Sequence, residues 1–168
     1  MAEIRLTTTQ NIVKNTPLGG NVGVDKYIFL IDDVQIMYLE PILGTKLYDK
    51  IKTDYDSNTI TGIYSQILTD YIQPYLNHAV FAEYTRNGSF KIQNNGNYKT
   101  LPNNSEIMSN SEDTSFLTHQ LNKAQLYISR LQKFLDVKGS EIPEYLTQDN
   151  DYDVDPNGKT NVSITWDI

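Results

Sequence analysis

The longest regular pattern in the chain runs from Ser109 to Gly139. Leu117, Leu121, Ala124, Ile128, Leu131 and Leu135 recur at alternating steps of four and three, which places all six on one helical face. Phe116, Tyr127 and Phe134 widen that face, while Thr118, Asn122, Gln125, Ser129 and Gln132 line the opposite side. Ser109 with Glu112 matches a capping box, and Glu112 and Asp113 put negative charge at the positive end of the helix dipole. Lys133, Lys138 and Gly139 supply a cationic last turn and a glycine able to take positive φ. The pattern predicts one long helix, roughly 40 Å from end to end.

Upstream, shorter apolar periods alternate with breakers. Ile4, Leu6 and Thr8 alternate with polar residues as a strand would, yet the run to Asn15 equally fits a helical turn. Pro17, Gly19, Gly20 and Gly23 make Thr16 to Val24 a loop; it lacks the Gly-Lys-Ser/Thr of a phosphate-binding loop. Asp25 is placed to cap a helix carrying Tyr27, Leu30, Ile31, Val34, Met37 and Tyr38, which is predicted to end near Glu40 because Pro41 follows. Gly44 then allows a corner into a second helix with Leu47, Tyr48 and Ile51. A polar loop at Asp54, Asp56, Ser57 and Asn58 leads to a third helix, capped by Thr59 or Thr61 and carrying Ile63, Ile67, Leu68, Tyr71 and Ile72. Pro74 is expected to kink or split it. Leu76, Ala79, Val80 and Tyr84 continue the apolar face until Asn87 and Gly88 stop it.

Phe90 and Ile92, the Asn95-Gly96 pair, and Tyr98 and Thr100 predict a small β-hairpin near 89–100 that docks on a helix or on another subunit. Leu101 to Asn110 reads as loop. After the long helix, Pro143, Tyr145 and Leu146 read as a short packed turn. Glu141, Glu144, Asp149, Asp151, Asp153 and Asp155 then occur with no Lys or Arg between Lys138 and Lys159. Val162, Ile164, Trp166 and Ile168 alternate with polar residues as a terminal strand. The fold class is therefore mainly α: a small helical bundle with one long helix in its C-terminal half, a minor β-hairpin and an extended C-terminal strand or arm. Residues 1–140 form the helical domain, and 141–168 an acidic tether with a terminal strand that pairs at home or on a partner. Phe90, Ile92, Tyr98, Val162, Ile164, Trp166 and Ile168 are the candidate contact residues, with Trp166 either an anchor on its own core or a side chain for a partner's pocket.

Composition narrows the chemistry. A length of 168 residues is one domain's worth. A net charge of −7 opposes binding nucleic acid by phosphate neutralisation. The absence of cysteine removes disulfides, thiolate metal sites and cysteine nucleophiles. Charged residues make up 21% and tyrosines number 12, a polar but weakly charged surface that suits burial by neighbours. No basic-then-apolar leader opens the sequence, and no run of about 18 apolar residues predicts a membrane span. His78 and His119 lie on different helices with no carboxylate or serine at a triad or metal spacing, so they read as ordinary packed or surface residues and no enzyme is predicted. Asp32 and Asp33, adjacent on a helix, point about 100° apart and read as solvated charges. Asp153, Asp155 and Asn157 before Gly158 match the first half of a calcium loop; Ile164 stands where the bidentate Glu belongs, and an Asp-Pro-Asn-Gly turn explains the same residues. A calcium-dependent binding module is the alternative this leaves, and no cofactor is implied.

Several of these segments together resemble a known family. They are Leu6-Thr7-Thr8-Thr9-Gln10-Asn11-Ile12, the Gly20-Asn21-Val22 loop, Ile31 to Gln35, the Leu39, Leu43-Gly44, Leu47-Tyr48, Ile51 spacing, the helix ending at Asn87-Gly88, the Phe90 to Gly96 strand and turn, and the long capped helix. The set resembles head-to-tail connector proteins of tailed bacteriophages, with the nearest likeness to neck ring proteins of crAss-like phages. The resemblance implies a helical bundle with extended arms, assembled as a homo-oligomeric ring, usually a dodecamer. It also implies a portal protein and further neck or tail ring proteins as partners, and a lumen through which DNA passes without specific binding. The implied place is the neck of the virion, built from protein made in the host cytoplasm. Another head or tail completion protein is the alternative within that class.

Overall fold

The computed structural model describes residues 4–19, 21–88, 90–93, 96–99, 110–147 and 152–156. The fold is mainly α. The N-terminal stretch enters in extended form and becomes α1 (Thr9–Asn15), where Thr8 caps the helix by accepting from the Asn11 N–H at 3.2 Å. The strand-like start pairs with no strand among the described residues. Its backbone is satisfied instead by side-chain amides: the Leu6 N–H donates to Gln35 Oε1 at 2.7 Å, Gln35 Nε2 donates to the Ile4 carbonyl at 3.1 Å, and Gln73 Nε2 donates to the Leu6 carbonyl at 3.1 Å. Thr7 Oγ1 adds a buried bond to Asn77 Oδ1 at 2.8 Å. Leu6 and Ile12 thereby reach the core with no exposed surface.

A 3-10 turn (Val24–Lys26) precedes α2 (Ile28–Val34), whose N-cap is Tyr27 and not Asp25; no side chain caps either element. The helix does not stop at Glu40. A π turn (Gln35–Leu39), closed by the Glu40 N–H on the Gln35 carbonyl, carries the chain into α3 (Glu40–Leu43) with Pro41 in its first turn, where a missing N–H costs no helical bond. The same device recurs where the sequence predicts a break at Pro74. With α4 taken as Thr45–Asp56, the next helix α5 (Gly62–Ile67) runs through a π turn (Leu68–Ile72), closed by the Gln73 N–H on the Leu68 carbonyl, into α6 (Gln73–Gly88). In both rods the proline comes two residues after the widened turn.

Each π turn also advances the inward face by one residue. After Val34 and Gln35 the next buried position is Leu39, so Met37, expected inside, is 60% exposed. Gly44 makes the corner into α4 at φ 77° and ψ 151°, a region that only glycine occupies readily. Leu47, Tyr48 and Ile51 are buried as their spacing predicts. The polar loop is shorter than expected, since Asp54 and Asp56 belong to α4. Thr61 is the N-cap residue of α5 without a side-chain cap bond.

Between α6 and the long helix two four-residue strands, β1 (Phe90–Gln93) and β2 (Gly96–Lys99), pair antiparallel with Phe90 opposite Lys99 and Gln93 opposite Gly96. The long helix is α7 (Asn110–Lys138), of 29 residues. Leu121, Ala124, Ile128, Leu131 and Leu135 are buried on its inner face, with Leu117 half-buried. It packs along α6, where Phe81 meets Phe116 edge-on at 5.9 Å, and along the preceding π turn, where Tyr71 lies 5.1 Å from Phe134. Ser109 of the expected capping box lies outside the described residues.

Gly139 does not adopt positive φ. It begins a 3-10 turn (Gly139–Glu141) and is buried because Tyr145, on α8 (Pro143–Leu146), lies where its side chain would be, with ring carbons 2.7 and 2.9 Å from an added Cβ. The core continues past the boundary expected at 140. Ile142 and Tyr145 belong to it, and residues 152–156 return to α4, where the Val154 N–H donates to Thr45 Oγ1 at 2.9 Å and the Thr45 N–H to the Val154 carbonyl at 3.0 Å. The acidic stretch is partly a strap across the bundle. Asp32 too is no solvated charge: Arg5 grips both its oxygens at 2.8 and 2.6 Å.

Gln35→Leu, which leaves the Leu6 N–H and the Ile4 carbonyl without partners, is expected to lower stability by about 1–3 kcal/mol in urea denaturation. Gly139→Ala is expected to cost about 1–3 kcal/mol through overpacking against the Tyr145 ring.

Candidate interaction surfaces

Among the described residues, three surface features stand out once the core is accounted for. The first is a stripe on α2 and its π turn. Phe29 is 49% exposed, Ile36 51% and Met37 60%, with the exposed Asp33 between them along the helix. Val24, on the preceding 3-10 turn, is exposed as well. The inward positions of this rod are already filled by Leu30, Ile31, Val34 and Leu39, so these side chains have no place in the chain's own core.

The second feature is a groove of about 370 Å³ between the α5–α6 rod and the last turns of α7. Tyr71, Phe134 and Val137 form its apolar lining, and Arg130, Lys133 and Lys138 its cations. The Arg130 guanidinium lies 5.6 Å from the Tyr71 ring centre and 5.7 Å from that of Tyr127, which holds its long side chain over the aromatic surface. Lys138 pairs with Glu141 at 2.6 Å, whereas Arg130 and Lys133 have no acidic partner among the described residues. On a chain of net charge −7 this is a local reversal of sign.

The third feature is a cleft of about 440 Å³ where α8 and the strap cross α4, lined by Thr45, Asp49, Lys50, Asp54, Glu144 and Asp153 among others. Two of its carboxylates have partners. Lys50 Nζ donates to both oxygens of Asp54 at 2.8 and 2.7 Å, and Tyr64 OH donates to Glu144 Oε2 at 2.6 Å. Burial first, then this bond, push the Tyr64 hydroxyl up to about 12, so it stays a donor. Burial also raises the Asp49 carboxyl, an effect that Glu40 and Asp153 reinforce and Lys52 opposes. The cleft is a latch that ties the strap to the bundle.

The residues singled out from the sequence fall as follows. Asp153 lines the latch, Asp155 is exposed, and Asn157 lies outside the described residues. Among the described residues no group of three or more His, Asp or Glu is placed to hold a metal ion. The backbones of Phe90, Ile92 and Tyr98 lie in the two strands, while Val162, Ile164, Trp166 and Ile168 lie outside the described residues. His78 is half-buried with its ring stacked on Tyr127 at 5.7 Å, and its Nδ1 has no hydrogen-bond partner among the described residues. Burial, then the charges of Lys123 and His119, lower its pKa. His119 is exposed on α7. Sequence reasoning missed the α2 stripe because it assigned Met37 to the core and gave no role to Phe29 or Ile36.

A family profile matches residues 39–153, more than half of the chain, from the end of the first π turn to the strap. The chain belongs to DUF6712, a family of unknown function. No curated protein and no solved structure matches it. The matched span includes α3 to α8 and the cleft-lining residues up to Asp153, while α1 and α2 precede it. Among the described residues no helix is long and apolar enough to cross a membrane.

His78 supplies a test of the α6–α7 interface. Its folded pKa lies below the value of about 6.5 in an unfolded chain, so the unfolded state takes the proton first as pH falls. The stabilising contribution is complete above about pH 6.5 and is lost as pH drops through that value towards the lowered one. Urea midpoints at about pH 7.5 and about pH 5.5 are expected to show the loss, and His78→Phe, which keeps a ring against Tyr127, is expected to reduce it.

Proposed function

We propose that this chain is a non-enzymatic structural subunit of a ring at the head-to-tail interface of a tailed virion, where it prolongs the DNA channel below the portal and docks further neck or tail proteins. The observation that carries this reading is the apolar stripe of Phe29, Ile36 and Met37, held outward by a helix whose inner face is already full. Several large apolar side chains exposed on one stretch of helix mark a surface that another molecule covers. The resemblance of the helical pattern to phage connectors supplies the kind of assembly. The net charge of −7 agrees with a passage for DNA that must not retain it.

In this reading the β1–β2 pair and the C-terminal segment are arms that reach neighbouring subunits, with Trp166 as an anchor residue. The strap at 152–156, which directly precedes that segment in the chain, is bonded to Thr45.

The direct test is native mass of the purified chain alone and after mixing with a portal encoded beside it, with electron microscopy of any large species. A closed ring on the portal is the expected result; a chain that ignores the portal and stays monomeric removes the reading. Truncation after Pro156 keeps the strap, so the thermal midpoint is expected to stay at the full-length value while incorporation into the ring is lost. A drop in that midpoint would place the terminal segment in the chain's own core.

A further inference from the structure

We propose that the α2 stripe of one copy seats in the cationic groove of α7 on the next copy, so that the two faces form a head-to-tail contact. The inference rests on the ring reading and names the surfaces that would join the subunits.

The two faces are complementary in both apolar and charged character. The stripe offers Phe29, Ile36 and Met37 with Asp33 set among them, and Asp33 has no cationic partner among the described residues. The groove offers Tyr71, Phe134 and Val137, the last 70% exposed, beside Arg130 and Lys133. Aromatic and methionine side chains at the centre of a contact with charges at its margin are the usual composition of a protein interface. Asp136, also exposed on α7, lies near Tyr145, whose hydroxyl it helps to raise after burial, and so sits towards α8.

Charge also selects the mode of pairing. Stripe against stripe would set Asp33 against Asp33, and groove against groove would set the cations of two copies together. Only the mixed pairing joins opposite signs, and a contact between two different patches propagates from copy to copy, closing into a ring where its rotation allows. Within one chain the faces lie on separate helices, each packed on α6, with Tyr27, the N-cap of α2, beside Tyr84 and Phe116 of α7 beside Phe81. Each copy can therefore offer both.

The absence of native cysteine makes the contact readable by cross-linking. A Met37→Cys, Val137→Cys double variant treated with a flexible bismaleimide is expected to give a ladder of multimers. A mixture of the two single variants is expected to give dimers, and either single variant alone monomers. Both positions are exposed, so the variants keep the core intact, which circular dichroism verifies. Asp33→Lys and the Arg130→Glu, Lys133→Glu pair, each introduced into the ladder-forming background, are expected to reduce the ladder at least about tenfold, and mixing the two charge-reversed proteins to restore it. Dimers from one single-cysteine variant would show a self-complementary contact and overturn the proposal. So would monomers alone at protein concentrations up to about 1 mM. A ladder from Ile168→Cys with Val137→Cys, with none from Met37→Cys, would give the groove to the C-terminal segment instead. The ladder requires no portal, so its presence without portal binding separates this contact from the neck assignment.

Discussion

The side-chain amide of Gln35 is the junction on which the arrangement of the bundle depends. It is fully buried and makes three hydrogen bonds, to the Leu6 N–H, the Ile4 carbonyl and the Tyr48 hydroxyl. One side chain thus joins the N-terminal segment, the α2 rod and α4. Burying an amide is favourable only when its partners are in place, because in a low-dielectric interior an unmatched donor or acceptor costs more than a matched one contributes. Gln73 and Asn77 repeat the arrangement from α6, so the extended N-terminal stretch is held by side chains where a sheet would otherwise hold it.

Gln35 continues the inward face of α2 four residues after Ile31, and the π turn that begins with it inserts an extra residue that moves the next inward position to Leu39. One backbone irregularity thus sets the core order after Gln35 and the outward position of Met37, and it also brings Pro41 into the rod without breaking it. π turns inside helices recur at functional positions in proteins generally, since they aim side chains in directions that a regular helix does not offer. Here the direction gained is an apolar face towards solvent.

The C-terminal part of the described chain applies a second constraint. Gly139 lets Tyr145 lie against the end of α7, α8 then turns back, and the strap bonds to Thr45 beside the Gly44 corner. An acidic stretch that composition alone assigns to solvent is partly held by two hydrogen bonds between Val154 and Thr45. The family profile covers α8 and ends at Asp153, one residue before Val154.

Local pattern determined much of this. The α7 face, the α4 core residues and the Gly44 corner follow from periodicity and from glycine's conformational range, which act over a few residues and are visible in order along the chain. Tertiary structure decided the rest. Gln35 is buried because of a partner 29 positions away, Thr7 because of one 70 away, and the strap is ordered by a residue 109 away. Nothing in a helical window distinguishes Gln35 from a surface glutamine or Met37 from a core methionine, since the polar partner and the extra residue in the turn exist only once the distant segments have packed. The same holds for the stripe and the groove: their residues were readable one by one, but which faces stay open is settled by what the core has already filled.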